Sequence, residues 1–426
     1  MRRLRRGLIL LATFAVTMMT VLQAVPARAD YIRDMEYWLS DYNFYQAWDI
    51  TRGEGVLVSV IDSGIGYAPD INAAVVGGAD FSGVGSPDGR TPVGASPDHG
   101  TLVASVLAGR GTGGNNGILG TAPAAQLLSA SVAFGVDTAI PSDEQIANAI
   151  KWSVDQGAKV INMSLTRNSL EWPKSWDEAF LYAFEHDVVI VAAAGNRGSG
   201  TNEVGAPATI PGVLTVAGLD VNGEASYDAS SQGITIAVSA PSEALVGVAP
   251  GGQYMKWSGS SGAAPIVSGL VALVRASHPE LDANNVIQRV IATATPVGEV
   301  PSPIYGYGKI NAYAAVTAEV APVKANPLGD LTEWIKLYRR GSSTSTPIPW
   351  DTSTATPAPL PFDSGNIAGL PTLYQLTTVG VPLLFFAGFG TIVVIGYIGV
   401  TRRLRPVVPR DHSRHETDET PQPPNV

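Results

Sequence analysis

Short runs of apolar, β-branched residues alternate along the middle of the chain with segments whose apolar positions recur every three or four residues. The apolar runs cover residues 56–61, 159–163 and 188–192. Such runs are typical of strands buried on both faces, whereas the wider spacing is typical of helices. The alternation predicts an α/β fold of three layers, with a mainly parallel central sheet and helices on both faces.

Two of the predicted helices have recognisable ends. Ser142 stands three residues before Gln145, the spacing of a capping box, and Gly157 is suited to closing the same helix. A second helix is predicted over residues 176–185. In such folds the crossovers are right-handed and the functional site lies beyond the carboxyl ends of the strands. Candidate chemistry is therefore expected where these strands end.

The two ends of the chain predict export and membrane attachment. Residues 1–29 have a basic start, an apolar stretch and the sequence Ala27-Arg28-Ala29, which is the pattern of a signal peptide cleaved before Asp30. The alternative is an uncleaved N-terminal anchor. Residues 377–400 form an apolar stretch long enough to span a bilayer, and arginines follow it at once. Because basic flanks stay on the cytoplasmic side, residues 401–426 are expected to be a cytoplasmic tail.

The region between these ends divides by composition. Residues 30–47 form a short N-terminal extension, and residues 48–320 form the globular body. A linker, Pro/Ser/Thr-rich in part, covers residues 321–376, with a short helix predicted near residues 333–340. We therefore expect a single-pass protein of the cell membrane whose body lies outside the cytoplasm.

Charge and cysteine content exclude several function classes. The net charge is −10 and no Lys/Arg block interrupts the body, which argues against a nucleic-acid partner. The chain has no cysteine, so disulfides, thiolate metal sites and cysteine nucleophiles are excluded. The Gly-rich segment 109–114 does not predict nucleotide binding, because a helical pattern precedes it and a loop follows it.

Three short segments carry candidate chemistry, in the chain order Asp, His, Ser. Asp62 ends an apolar strand, His99 opens a helical pattern, and Ser261 opens another helix amid small residues. A serine hydroxyl needs a neighbouring base to become a nucleophile, and imidazole has a suitable pKa. A carboxylate on the far imidazole nitrogen fixes the tautomer. Taken singly, each residue is more often structural: a turn aspartate, a packed histidine, a loop serine.

Together these segments resemble the subtilisin-like serine proteases, or subtilases. The resemblance rests on Val-Ile-Asp-Ser-Gly around Asp62, His-Gly-Thr at His99 and Gly-Ser-Ser-Gly-Ala-Ala-Pro around Ser261. It extends over residues 48–316 and includes further matching segments. These are Val160–Leu165, Val191–Asn196, Ala206–Thr209 and Tyr305–Gly308. The fold that this resemblance implies is the subtilisin-like α/β fold.

The resemblance also implies roles for individual residues. Ser261 would be the nucleophile, His99 the general base and acid, and Asp62 the carboxylate that orients the imidazole. Asn196 would donate to the oxyanion beside the backbone N–H of Ser261. Three residues would pair with an extended polypeptide substrate and line its specificity pocket. These are Ser164, Leu165 and Thr166.

The chain departs from the usual subtilase pattern at several positions. Ser260 stands where threonine is common, which makes it an alternative nucleophile, although the spacing to Ala-Ala-Pro favours Ser261. Gly262 stands where methionine is common, and Thr166 where glycine is common. Residues 115–116 are similar to part of the family's calcium loop, but the surrounding ligand pattern is not clear. The sequence therefore supports no cofactor, and a structural calcium ion is left open.

The arrangement of signal peptide, short extension, protease body, linker and C-terminal span resembles the mycosins, membrane-anchored proteases that accompany type VII secretion systems in actinobacteria. The leading hypothesis is an active serine endopeptidase in or near a secretion complex. One alternative is a catalytically silent subtilase that serves as a scaffold in such a complex. Another is ester hydrolysis with the same residues, although a strand that pairs with peptides favours peptide bonds.

Overall fold

A computed structural model of the chain describes residues 31–339. All described residues belong to one compact unit. The predicted signal peptide, the span over residues 377–400 and the cytoplasmic tail lie outside the described residues, as does most of the predicted linker.

The body is built on a seven-stranded parallel sheet with the strand order β2-β3-β1-β4-β5-β6-β7. The three strands predicted from apolar runs are confirmed within one residue at each end as β1, β4 and β5. A two-stranded antiparallel hairpin, β8 and β9, follows the sheet. The strands are β1 Leu57–Asp62, β2 Val75–Asp80, β3 Gln126–Ser131, β4 Val160–Met163, β5 Val189–Ala193, β6 Leu214–Leu219, β7 Ile236–Pro241, β8 Leu245–Val248 and β9 Tyr254–Trp257.

α-Helices lie in three of the six connections between successive parallel strands, β2–β3, β3–β4 and β4–β5, where the chain alternates as the pattern predicts. The central helix, α7 (Ser260–Ser277), is buried along most of its length, and α4 (His99–Ala108) packs beside it. The helices are α1 Tyr31–Asp34, α2 Tyr37–Asp41, α3 Phe44–Ala47, α4 His99–Ala108, α5 Ser142–Asp155, α6 Lys174–Glu185, α7 Ser260–Ser277, α8 Ala283–Ala292, α9 Ala312–Thr317 and α10 Leu331–Tyr338.

The central strands are apolar on both faces because each face supports a separate core. Along β5, Val189 and Val191 belong to one hydrophobic cluster, while Ile190 and Ala192 belong to the other. Successive side chains of a strand point to opposite faces, so a buried parallel strand needs an unbroken apolar run. This arrangement confirms the predicted three layers.

The capping-box interpretation of α5 is wrong. Ser142 is the first helical residue, Pro141 precedes it, and no side chain caps this end. Gln145 is fully buried, and its Oε1 accepts a hydrogen bond from the backbone N–H of Ala133 at 2.8 Å. Gln145 therefore makes a tertiary contact with the segment that follows β3 and does not cap its own helix.

The N-terminal extension packs onto the body through aromatic side chains. Trp38 and Phe44 have no exposed surface. The hydroxyl of Tyr37 donates to the carbonyl of Glu243 at 2.9 Å, and the carbonyl of Tyr42 accepts from the backbone N–H of Ala312 at 2.9 Å. A segment too short to fold alone is thus ordered by burial against the larger core.

Among residues 31–339, α7 is the one helix long and apolar enough to cross a membrane. It is largely buried inside the protein, packed against the sheet. Its apolar character is accounted for by its place in the core.

Candidate active site

Asp62 and His99 meet at the carboxyl end of the sheet. Nδ1 of His99 lies 2.8 Å from Oδ1 and 3.0 Å from Oδ2 of Asp62. The backbone N–H of Ser63 also donates to Oδ1, at 2.7 Å. The carboxylate is 4% exposed and the imidazole 29% exposed. The buried carboxylate thereby orients the ring and leaves Nε2 as the nitrogen able to accept a proton.

Small residues allow this approach between the end of β1 and the start of α4. A side chain on Gly100 would place its Cβ 2.4 Å from the carbonyl oxygen of Gly64, and Gly64 itself has φ +99°. The hydroxyl of Ser63 accepts from the N–H of Gly100 at 2.9 Å and donates to Pro97. The segments Asp62–Gly64 and His99–Gly100 therefore pack directly against each other, which requires their small residues.

The environment of His99 changes its basicity in two opposing ways. Burial lowers the pKa of the imidazole, while the charge of Asp62 and its hydrogen bond raise it. The net effect is a pKa above the ordinary histidine value. The ring also contacts Trp257 edge to face, with ring centroids 6.0 Å apart.

Ser260 and Ser261, adjacent at the start of α7, occupy different environments. The Ser260 side chain has no exposed surface, and its hydroxyl exchanges hydrogen bonds with the backbone of Gly195. Ser261 is half-buried, and its Oγ donates to the carbonyl of Ser164 at 3.2 Å. Within residues 31–339 this hydroxyl makes no hydrogen bond with His99. Of the two serines, only Ser261 has a hydroxyl with access to a ligand.

Asn196 lies beside the start of the same helix, with its amide orientation defined. Its Oδ1 accepts from the backbone N–H of Ser260 at 2.8 Å, so Nδ2 is left as a donor. Gly259 has φ +148°, and a Cβ there would lie 3.3 Å from that Nδ2. The glycine thus keeps open the space into which Nδ2 of Asn196 and the backbone N–H of Ser261 can donate to an anion.

The segment after β4 provides an unpaired backbone edge. Ser164 is buried, while Leu165 and Thr166 are half-buried. Within the described part of the chain, the backbone groups of Leu165 and Thr166 make no hydrogen bonds with other backbone groups. Because such an edge can pair with an extended peptide, the geometry suits a polypeptide ligand running past Ser261.

Comparison with known proteins accounts for this arrangement. The Subtilase family model matches residues 53–308, which is more than half of the chain. The chain belongs to the subtilase family. It is 36% identical to Mycosin-3 of Mycobacterium tuberculosis over 334 residues, covering 65% of this chain and 70% of the relative. It is 37% identical to Subtilisin E of Bacillus subtilis over 271 residues, covering 62% of this chain and 66% of the relative.

Solved structures give the same result for the fold. MycP1 from Mycobacterium smegmatis superposes with a TM-score of 0.59 at 28% identity, covering 71% of this chain and 89% of that one. A chain from the periplasmic assembly of the ESX-5 inner membrane complex superposes with a TM-score of 0.58 at 29% identity, covering 68% of this chain and 86% of that one. This subtilase is accordingly a serine-type endopeptidase with a subtilisin-like fold.

The loop that resembles the family's calcium loop does not fit a cation in this subtilase. The carbonyls of Asn116 and Gly117 accept hydrogen bonds from the guanidinium of Arg33, at 3.3 and 2.7 Å. The positively charged guanidinium of Arg33 therefore already pairs with both of these carbonyl oxygens. Among residues 31–339, no group of three or more His, Cys, Asp or Glu side chains could hold a metal ion.

The sequence patterns do not predict two residues of the site, Trp257 and Asn162. Trp257, at the end of β9, contacts His99, and its ring lies 3.3 Å from where a Cβ on Gly262 would be. Asn162 is a fully buried amide within β4 that hydrogen-bonds toward the site. The signal for Asn162 was available, since it is a polar residue in the middle of an apolar strand.

Proposed function

We propose that this subtilase is an extracytoplasmic, membrane-anchored endopeptidase that cleaves peptide bonds through Asp62, His99 and Ser261. The observation that carries the proposal is the hydrogen bond between buried Asp62 and Nδ1 of His99. It leaves Nε2 as the basic nitrogen at the end of the sheet where α7 begins. The burial of Ser260 supports Ser261 as the nucleophile.

In this mechanism Oγ of Ser261 attacks the carbonyl carbon of the scissile bond while Nε2 of His99 takes its proton. The resulting oxyanion receives hydrogen bonds from Nδ2 of Asn196 and the backbone N–H of Ser261. Collapse breaks the C–N bond, and His99 returns the proton to the leaving amine. Water, deprotonated by His99, then hydrolyses the acyl-enzyme and restores the serine.

The substrate binds as an extended strand along Ser164, Leu165 and Thr166. Unpaired backbone groups on Leu165 and Thr166 supply the hydrogen bonds, so affinity is largely independent of sequence along this edge. In this proposal Thr166 is assigned to the specificity pocket, where its side chain would contribute to the preference for the residue before the scissile bond.

The sequence at both ends supports membrane attachment. Export by residues 1–29 and retention by the apolar stretch 377–400 would hold the body at the outer face of the membrane. Similarity to a chain of the ESX-5 periplasmic assembly supports a place in or near a type VII secretion complex. Deleting residues 377–400 tests the anchor: the body should move from the membrane fraction to the soluble one, and retention would contradict it.

A catalytically silent scaffold is the second candidate, and one observation favours it. Oγ of Ser261 is hydrogen-bonded to Ser164 and not to His99. In serine hydrolases the catalytic hydrogen bonds often tighten only when substrate binds, so the resting contact is also compatible with activity. Hydrolysis by the purified protein separates the two candidates.

The deciding experiment measures cleavage of fluorescein-labelled casein by the full chain in detergent. We expect the wild type and Ser260→Ala to cleave casein. Ser261→Ala should be inactive, since removing a catalytic serine costs about 10⁶-fold in turnover. A folded wild type that leaves casein intact supports the scaffold. Activity that survives in Ser261→Ala but not in Ser260→Ala overturns the choice of nucleophile.

A further inference from the structure

A chain of buried polar side chains crosses the interface between β4 and the central helix α7. The hydroxyl of Ser268 donates to Oδ1 of Asn162 at 2.9 Å. Nδ2 of Asn162 donates to the hydroxyl of Ser164 at 3.0 Å, and that hydroxyl donates to the carbonyl of Ser261 at 2.8 Å. Asn162 and Ser268 have no exposed surface, and Ser164 is 3% exposed.

The polar side chains of this hydrogen-bonded series lie among buried apolar residues. The strand neighbours of Asn162 are Ile161 and Met163, and α7 is packed with apolar residues on both sides of Ser268. Burying an amide costs free energy unless its groups are paired, and apolar replacements of similar shape are often neutral for stability. Stability alone therefore gives no reason for an amide at this place in the strand.

The hydrogen bonds between Ser164 and Ser261, at one end of this series of polar side chains, supply a reason. Ser164 and Ser261 exchange two hydrogen bonds, because the carbonyl of Ser164 accepts from Oγ of Ser261 while the hydroxyl of Ser164 donates to the carbonyl of Ser261. This pair joins the first turn of α7 to the strand edge on which the substrate lies. Asn162 holds the hydroxyl of Ser164 in the one orientation that completes the pair.

We propose that Asn162 is a positioning residue for the reaction, acting with Ser268 through Ser164 to fix Ser261 against the substrate strand. The inference rests on the proposed function, in which Ser261 is the nucleophile. Asn162 touches neither substrate nor reacting atoms. Its effect is on the distance and angle at which Oγ of Ser261 meets a carbonyl carbon bound along Ser164–Thr166.

The test compares the wild-type full chain with Asn162→Ala, Ser268→Ala and a matched control, Ser277→Ala. Ser277 lies at the far end of α7, and among residues 31–339 its hydroxyl bonds only to carbonyls of its own helix. Three quantities are measured for each protein. They are the second-order rate of labelling by a fluorophosphonate probe, kcat and KM on a peptide substrate, and the thermal unfolding midpoint.

We expect Asn162→Ala to lower kcat and the labelling rate by about 10- to 100-fold with little change in KM, the loss typical of a reacting group displaced by up to an ångström. Ser268→Ala should lose about 2- to 10-fold, the value of one hydrogen bond at the remote end. Ser277→Ala should match the wild type.

Equal labelling rates for folded Asn162→Ala and Ser277→Ala would overturn the positioning role while leaving the proposed function intact. If Asn162→Ala does not fold, Ser268→Ala decides, and wild-type kcat in that variant overturns the proposal. A change in KM alone also overturns it, because it would indicate a role in binding. A folded wild type that the probe does not label overturns the proposed function, and the positioning role with it.

Discussion

Nδ1 of His99 lies within hydrogen-bonding distance of both carboxylate oxygens of Asp62, at 2.8 and 3.0 Å. Shared contact with two oxygens restrains rotation of the ring more than a single bond would. Because the carboxylate is buried and the imidazole is partly open to solvent, the charge of Asp62 acts on the ring through protein and not through water. Both the orientation and the basicity of His99 follow from this relationship.

The first prediction concerns pH. Burial lowers and Asp62 raises the pKa of His99, and the net value lies above 6.5. A general base must be neutral, so kcat/KM should rise with pH through a midpoint above 6.5 and stay high beyond it. The measurement is kcat/KM on a peptide substrate across the pH range in which the protein remains folded. A midpoint at or below 6.5 would contradict the assigned pairing.

The second prediction concerns Asp62→Asn. The amide keeps the shape but loses the charge and presents a donor to Nδ1, so the wrong imidazole tautomer is favoured. We expect kcat to fall by about 10⁴-fold, with the residual pH midpoint moved downward. Asp137→Asn, at an exposed position, is the control and should retain wild-type kcat. A loss of less than about 10-fold in Asp62→Asn would rule out the orienting role.

The third prediction concerns the oxyanion. Asn196→Ala removes the Nδ2 donor beside Gly259 and should lower kcat by about 10²–10³-fold, the loss typical of one oxyanion donor. KM should change little, since the interaction strengthens in the transition state. Asn222→Ala removes an exposed amide elsewhere and serves as the control. An increase in KM at constant kcat would instead indicate that Asn196 binds the ground state.

The fourth prediction concerns the N-terminal extension. Trp38 is fully buried, so Trp38→Ala should destabilise the protein by about 3–5 kcal/mol. At about 2–4 °C per kcal/mol for a domain of this size, the unfolding midpoint falls by roughly 10 °C. Tyr31→Ala, at a site 66% exposed, should leave the midpoint nearly unchanged. Equal midpoints for the two variants would mean that the extension does not contribute to the fold.

The sheet could be predicted from sequence because its central strands are buried on both faces. The unbroken apolar run at residues 188–192 is typical of a buried strand, because it lacks the three- or four-residue spacing of an amphipathic helix. The family motifs likewise placed Asp62, His99 and Ser261 at strand ends and helix starts, where the structure has them. Their hydrogen-bond partners were not predictable with the same certainty, as the contact of Ser261 with Ser164 demonstrates.

Other parts depend on contacts distant in sequence and leave no local pattern. The side chain of Gln145 accepts a hydrogen bond from the backbone of Ala133 instead of capping its helix. Arg33 donates to the carbonyl of Gly117, more than eighty residues away. The packing of Trp38 depends on a surface assembled by the rest of the body. Periodicity reports which face of an element is buried, but it does not report which partner buries it.

The most direct test of the central claim is to map the covalent adduct of a fluorophosphonate probe on the full chain by tandem mass spectrometry. An activated serine reacts only when a base takes its proton, so one modified residue identifies the nucleophile. We predict an adduct on Ser261 in the wild type and in Ser260→Ala, and none in Ser261→Ala. An adduct on Ser260, or no adduct on folded wild-type protein, would contradict the account.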